Sequence, residues 1–343
     1  MAPAPSGGMM SIVDEEIAAL VRAGREAVGT TDEGGWFDQL DRRRADVDAA
    51  LAASLDAHDL DTAVELGAAL WPYWLRRAAD GREWLYRLSA AAAEAPASPS
   101  LAELLYGAGL VAFRHGDGAT SRSLNEAALR AAEACASARG RALAYVGMSR
   151  VAFRDGDYPA GLSFAAAADR DGAAAGEETL RNLALHMRAE LTRAQGAYAD
   201  ALPLYQRLLE ADEREGDARS QAMEHCNLGS VLLQLGQLDD AERHLDSALD
   251  LAHRDATDQL PYALLGAAGL AARRGDGVTA GRLLGAVEAH FQASGVVLDP
   301  AEQLELDSHV AVGRRAAETF DETRAAGHHL SLDDAYEAQR SNR

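Results

Sequence analysis

Four arginines stand near the ends of predicted helices and are the residues of this sequence best suited to bind an anion. A guanidinium group donates hydrogen bonds in a planar fork, which suits a carboxylate or phosphate on a ligand or peptide. The arginines are Arg114, Arg150, Arg154 and Arg193, and the aromatic side chains expected beside them are Tyr106, Phe113 and Phe153. A second interpretation stays open, in which Arg114 and Arg154 pair with neighbouring aspartates or stabilise helix C-termini.

A histidine and a cysteine raise the question of nucleophilic or metal chemistry. His186 and Cys226 fall at equivalent positions of neighbouring repeats, so the two side chains could meet. A lone cysteine on an alanine-rich helix is usually a small buried apolar residue, however. The adjacent His328 and His329 lack the spaced partners of a zinc site. We therefore expect no catalytic residue, no metal site and no cofactor.

An internal repeat organises the chain. Glycines in predicted turns recur at Gly116, Gly156, Gly196, Gly236 and Gly275, with spacings of 40, 40, 40 and 39 residues. An amphipathic helical stretch precedes and another follows each glycine, which is the pattern of stacked helix hairpins. Glycine suits the left-handed conformation that ends a helix.

The residue five positions after each turn glycine is small, which lets the two helices of a hairpin cross closely. These residues are Ser121, Gly161, Ala201, Ala241 and Ala280. A bulky residue follows four positions later in three repeats, whereas Asn125 and Ala165 stand there in the other two. This pattern resembles the tetratricopeptide repeat with a lengthened loop.

The sequence thus predicts an all-α fold, a right-handed superhelix (α-solenoid) of tetratricopeptide-like hairpins with helical caps. We expect a flexible tail over residues 1–10, an N-terminal helical cap over 11–95, five repeats over 101–294 and capping helices over 300–343. Within the caps we expect one helix over 36–55 and two closing helices over 300–320 and 332–339.

The first helix of each hairpin lines the concave face of such an array. Counting back from each turn glycine gives one inward face per helix. The residues expected on this face, as a ligand- or partner-binding surface, are Tyr106, Leu110, Phe113, Arg114, Arg150, Phe153, Arg154, His186, Glu190, Arg193, Cys226 and Ser230.

Composition excludes several function classes. The 343 residues carry 33 basic and 54 acidic side chains, a net charge of −21, and every basic residue is arginine. Without lysine there is no Walker A phosphate loop and no Schiff-base lysine. A surface this acidic repels phosphate backbones, so we expect no direct nucleic-acid binding. With no long apolar stretch, no signal sequence and two isolated cysteines, we expect a cytoplasmic protein without a membrane partner.

Particular segments resemble a known group of proteins. They are Trp36–Asp41, Ala45–Leu51, Ala69–Leu75, Arg82–Leu85, Gly281–Glu288 and Gly327–Ala335. With the repeats, these segments resemble the C-terminal helical-repeat region of actinobacterial LuxR-type and antibiotic-regulatory ATP-binding transcription activators. The resemblance implies a sensor or protein-contact surface. This sequence shows neither the nucleotide-binding domain nor the helix-turn-helix of those activators.

These observations favour a non-catalytic, regulatory recognition module or scaffold. Its groove would bind a protein or peptide segment or a small acidic effector, and a homo-oligomer is compatible with the sequence. Two alternatives stay open. One is a small-molecule-binding protein or enzyme of actinobacterial secondary metabolism. A closed cavity in which His186 and Glu190 contact each other would favour this alternative. The other is that the sequence is a domain of a larger regulator.

Overall fold

The computed structural model describes residues 10–28, 30, 32–76 and 81–341. Nearly all of the tail expected over residues 1–10 lies outside these residues. Within them the chain forms eighteen α-helices and no strand, so the predicted all-α solenoid is confirmed.

Five helices precede the hairpins: α1 (Met10–Ala27), α2 (Glu33–Arg42), α3 (Arg44–Asp56), α4 (Leu60–Arg76) and α5 (Gly81–Ala91). The single helix predicted over 36–55 is wrong. The backbone at Arg43 leaves the helical region, with φ −109° and ψ 19°, and divides this stretch into α2 and α3. Hydrophobic periodicity does not reveal such a break, because both pieces bury one face.

Ten helices follow as five antiparallel pairs. They are α6 (Pro99–Arg114) with α7 (Gly118–Ala134), α8 (Ala138–Arg154) with α9 (Tyr158–Ala175), α10 (Glu178–Ala194) with α11 (Tyr198–Glu215), α12 (Ala218–Gln234) with α13 (Leu238–Asp255), and α14 (Leu260–Arg273) with α15 (Gly277–Ser294).

The turn within each pair has the geometry that the repeat requires. All five turn glycines have positive φ, between 74° and 88°. Three of the turns end on an aspartate whose side chain accepts the first free amides of the next helix, as at Asp117, Asp157 and Asp276. These caps satisfy backbone donors that the helix itself leaves unpaired. Between α7 and α8, by contrast, Ala136 adopts φ 53° without being glycine.

Glycines on the first helices let side chains of the second helices pack between neighbouring pairs. A Cβ on Gly109 or Gly147 would overlap Asn125, and a Cβ on Gly229 or Gly266 would overlap Leu245. Both side chains are buried, and Asn125 Nδ2 donates to the Ser121 carbonyl at 2.8 Å. Close helix contact in these pairs therefore depends on residues that lack a side chain.

The N-terminal helices share a core with the first hairpins. One cluster of buried apolar residues runs from Ile17 to Ala144 and includes Leu70 and Leu104. Trp71 of α4 also meets Tyr106 of α6 edge to face, with ring centroids 5.5 Å apart.

Three helices end the described chain: α16 (Pro300–Ala316), α17 (Phe320–Gly327) and α18 (Leu332–Ser341). The two closing helices expected from the sequence therefore become three. The linker before α16 returns to the first hairpin, where the Val297 amide donates to the Arg114 carbonyl at 2.9 Å. His115 Nδ1 also lies 3.0 Å from the Gly295 carbonyl. The array thus meets itself across nearly two hundred residues.

Candidate binding cavity

The helices surround a cavity of about 820 Å³, lined by the first helix of each hairpin together with α4, part of α11 and the start of α16. Its size falls within the range of ligand pockets, about 300–1,000 Å³. Every residue expected on the concave face lines this cavity except Arg154.

Arg154 lies within the wall. Its Nη2 donates to the Phe113 carbonyl at 2.9 Å, and its guanidinium carbon stands 4.2 Å from the centre of the Phe113 ring. Burial lowers the pKa of this guanidinium below its ordinary value. Because Phe113 stands in the last turn of α6, Arg154 occupies the place where a cation stabilises a helix C-terminus.

Arg114 and Arg150 reach the cavity through contacts with tyrosines. Arg150 Nη1 donates to the Tyr106 hydroxyl at 2.8 Å, and among the described residues no carboxylate forms an ion pair with it. Arg114 Nη2 donates to the Tyr262 hydroxyl at 2.8 Å. Both guanidinium groups therefore keep donors for a further acceptor, since each has five N–H groups.

Arg193 is committed to its own chain. The side chain is buried, and its Nη2 lies 2.6 Å from Glu190 Oε2 and its Nη1 3.5 Å from Glu305 Oε2. The Tyr205 hydroxyl donates to the other oxygen of Glu190 at 2.6 Å. Burial alone would lower the pKa of Arg193, but Glu190, Tyr205 and Glu305 raise it well above its ordinary range. This cluster holds α10 against α11 and α16.

His186 pairs with a carboxylate of the next hairpin. Its Nδ1 lies 2.9 Å from Glu224 Oε1, and Asn227 Nδ2 donates to Glu224 Oε2 at 3.1 Å. Burial opposes a charge on this imidazole, but the Glu224 and Glu190 carboxylates together outweigh it and raise the pKa of His186. A contact between His186 and Glu190 was the feature that would have favoured an enzyme. In the structure, His186 instead pairs with Glu224, and Glu190 pairs with Arg193 and Tyr205.

Cys226 lines the cavity as a thiol. Burial raises its pKa well above the ordinary value, and the nearby Glu305 and Glu224 carboxylates add to this shift. Since the thiolate is the nucleophilic form, this environment does not activate the sulfur. Ser230 is buried beside it on α12.

Several acidic residues of the cavity were missed by the sequence reasoning. Glu302 and Asp299 form a capping box at the start of α16, with the Asp299 amide 2.8 Å from Glu302 Oε2. Burial raises the pKa of Glu302 to about 8. The Asp299-Pro-Ala-Glu302 sequence is a recognisable helix start, but no sequence signal places it against the first hairpin. Asp212 of α11 also lines the cavity, and burial raises its pKa to about 8.

Two kinds of feature are absent from the described residues. These residues contain no group of three or more histidine, cysteine, aspartate or glutamate side chains placed to hold a metal ion. Among the same residues, no helix has the length and apolar character needed to cross a membrane.

Comparison with known proteins adds information on the repeats. Residues 180–254 match the tetratricopeptide repeat family. No curated protein matches. The resemblance to actinobacterial activators therefore rests on the sequence segments alone.

Two solved structures share the fold. One is described as a Rap protein complexed with competence and sporulation factor; it is 14% identical, with a TM-score of 0.59, and the similarity covers 96% of this chain and 100% of that one. The other is aspartyl phosphate phosphatase F from Bacillus subtilis, 11% identical with a TM-score of 0.50, covering 95% and 96%. Residues 180–254 are therefore similar to tetratricopeptide repeats, and the chain as a whole has an all-α helical-repeat fold.

Proposed function

We propose that this protein is a non-catalytic recognition module that binds a short protein segment or a small effector inside its cavity. The observation that carries the proposal is the cavity itself, which combines about 820 Å³ of space with apolar, aromatic and charged walls. Ligand sites commonly combine apolar walls with a few well-placed polar groups. Because the chain closes on itself beside Arg114, the space suits an extended segment or small molecule better than a helix.

The comparisons support this proposal at the level of the fold. The Rap protein of similar fold is described as a complex with competence and sporulation factor. Together with the tetratricopeptide match, this favours a protein or peptide partner. The regulatory role and the relation to actinobacterial activators are part of the proposal.

Within the cavity we assign one end of the ligand to Arg150 and Arg114. Their remaining donors suit a carboxylate or phosphate, and Tyr106, Phe113 and Phe153 supply apolar contact nearby. Arg193 and Arg154 have no part in this assignment, because Glu190 and Glu305 hold the first and the Phe113 carbonyl holds the second.

Cavity-filling substitution tests the proposal. Leu183 of α10 lines the cavity and is half-buried, so Leu183→Trp would fill space without exchanging a core residue. Wild-type protein would be screened against phage-displayed random heptapeptides and examined by native mass spectrometry for retained small molecules. We expect a ligand that binds the wild type and is lost in Leu183→Trp.

Arg150→Met tests the assigned anion contact. Its matched control is Arg130→Met, which removes the same charge from the exposed face of α7. We expect binding to weaken by about tenfold or more in the first variant and to stay unchanged in the second.

A ligand that binds the wild type and the folded Leu183→Trp variant equally well would show that the cavity is not its site.

A further inference from the structure

Asp212 is a buried carboxylate without a partner. The residue is 8% exposed, stands on α11 and lines the cavity. Its backbone carbonyl accepts amides from the turn before α12. Among the described residues, however, no side chain donates a hydrogen bond to its carboxyl group and no cation forms an ion pair with it.

The charged groups around Asp212 make the lack of a partner for its carboxyl group more unusual. Glu224, Asp217 and Glu215 all lie close enough to oppose its ionisation, and all three line the cavity. His186 favours ionisation of Asp212, but its Nδ1 lies 2.9 Å from Glu224 Oε1. This end of the cavity therefore has an excess of negative charge.

The neighbouring arginines do not neutralise it. Arg219 Nε lies 2.8 Å from Asp258 Oδ2. Arg139 pairs with Glu177 and with Glu103. Ionising a buried carboxyl group without a counter-ion is costly, so such a group stays protonated near neutral pH unless a cation pairs with it. The carboxyl group of Asp212 has no such cation within the described chain.

We propose that Asp212 is the contact for a cationic group of the ligand, a primary ammonium or a guanidinium. This inference rests on the proposed function, since the same cavity receives the ligand. The carboxylates of Glu224, Asp217 and Glu215 strengthen the attraction, and Asp212 forms the direct ion pair. With Arg150 assigned to an anionic group, the ligand carries separated charges of opposite sign.

Small cations test this contact without knowledge of the natural ligand. The probes are n-butylguanidinium and n-butylammonium chloride, with n-butanol as the neutral control, titrated by calorimetry at pH 8.5 and constant ionic strength. We expect saturable binding of at least one cation by the wild type and none of n-butanol. Asp212→Asn should weaken cation binding by about tenfold or more.

The matched control is Glu213→Gln, which removes an exposed carboxylate from the same helix and should bind like the wild type. Asp212→Ser serves as a second variant, and circular dichroism confirms that each variant is folded. Equal binding by folded wild type and Asp212→Asn, or no saturable cation binding by the wild type, overturns the inference. A natural ligand lost in Leu183→Trp but kept in Asp212→Asn would leave the cavity function standing and remove the cation contact alone.

Discussion

His186 and Glu224 join two neighbouring hairpins through one buried ion pair. They stand on α10 and α12, 38 residues apart, with Nδ1 and Oε1 separated by 2.9 Å. Both residues line the cavity, and His186 lies near Arg150, which we assign to an anion, and near Asp212, which we assign to a cation. Protonation of the His186 imidazole therefore influences both the stability of the repeats and the charge of the cavity.

This pair predicts a pH dependence. Since the folded state raises the pKa of His186 above 6.5, its stabilisation is present below pH 6.5 and is lost as pH rises through the folded value. Glu224→Gln should lower the free energy of unfolding by about 1–3 kcal/mol at pH 6 and by less at pH 8. Urea unfolding at both pH values measures this. A deficit that is the same at both pH values would contradict it, and Glu213→Gln is the control.

Substitution of Asp212 should raise the free energy of unfolding, whereas substitution of Glu224 should lower it. The pKa of Asp212 rises from 3.8 to about 8 on folding, so wild-type stability falls as pH increases between these values. Asp212→Asn removes this penalty. We expect Asp212→Asn to leave the free energy of unfolding unchanged near pH 4 and to raise it by about 1–3 kcal/mol at pH 8, measured by urea unfolding. A variant less stable than the wild type at pH 8 would show that the carboxylate has a stabilising partner.

Two of the cavity arginines, Arg193 and Arg150, should differ in how much stability their loss costs. Arg193→Met leaves Glu190 and Glu305 buried without their cation and should destabilise the protein by about 3 kcal/mol or more. Arg150→Met removes one hydrogen bond to Tyr106 and should cost about 1 kcal/mol or less. Thermal unfolding of both variants at pH 7 compares them. Equal losses would mean that the Arg193 cluster does not stabilise the fold as described.

Ala136 offers a stabilising substitution. Its φ of 53° is unfavourable for a residue with a Cβ, whereas glycine adopts it freely. We expect Ala136→Gly to raise the free energy of unfolding by up to about 1 kcal/mol. Ala134→Gly, in the last turn of α7, is the control and should lower it by about 0.5–1 kcal/mol. Chemical unfolding of the two variants side by side checks the sign, and a loss at both positions would contradict the prediction.

The sequence was sufficient to predict the repeats and the helix faces that line the cavity. Turn glycines such as Gly116 and Gly236 are recognisable from their regular spacing. Counting back from them correctly predicts that Tyr106 and Ser230 face the cavity. Arg154 shows the limit of this method. It stands on a first helix as expected, but the Phe113 carbonyl beside the turn holds its side chain out of the cavity.

Features that depend on distant contacts could not be predicted. Glu224 stands among other polar residues of α12, and its partner His186 lies one repeat away, so no local signal indicates the ion pair. The Tyr262 hydroxyl meets Arg114 only because the array returns to its beginning. Asp212 has no local signal, since a single aspartate near a helix end is common and its burial depends on the surrounding hairpins.

The hydrogen bond between the Val297 amide and the Arg114 carbonyl changes how the molecule should come apart. In an open array each repeat meets only its neighbours, so stability is a sum of local terms and the ends fray first. Here the last hairpin cannot fray without also leaving the first. Unfolding should therefore be more cooperative than the repeat number suggests, and the free energies of single repeats should not add.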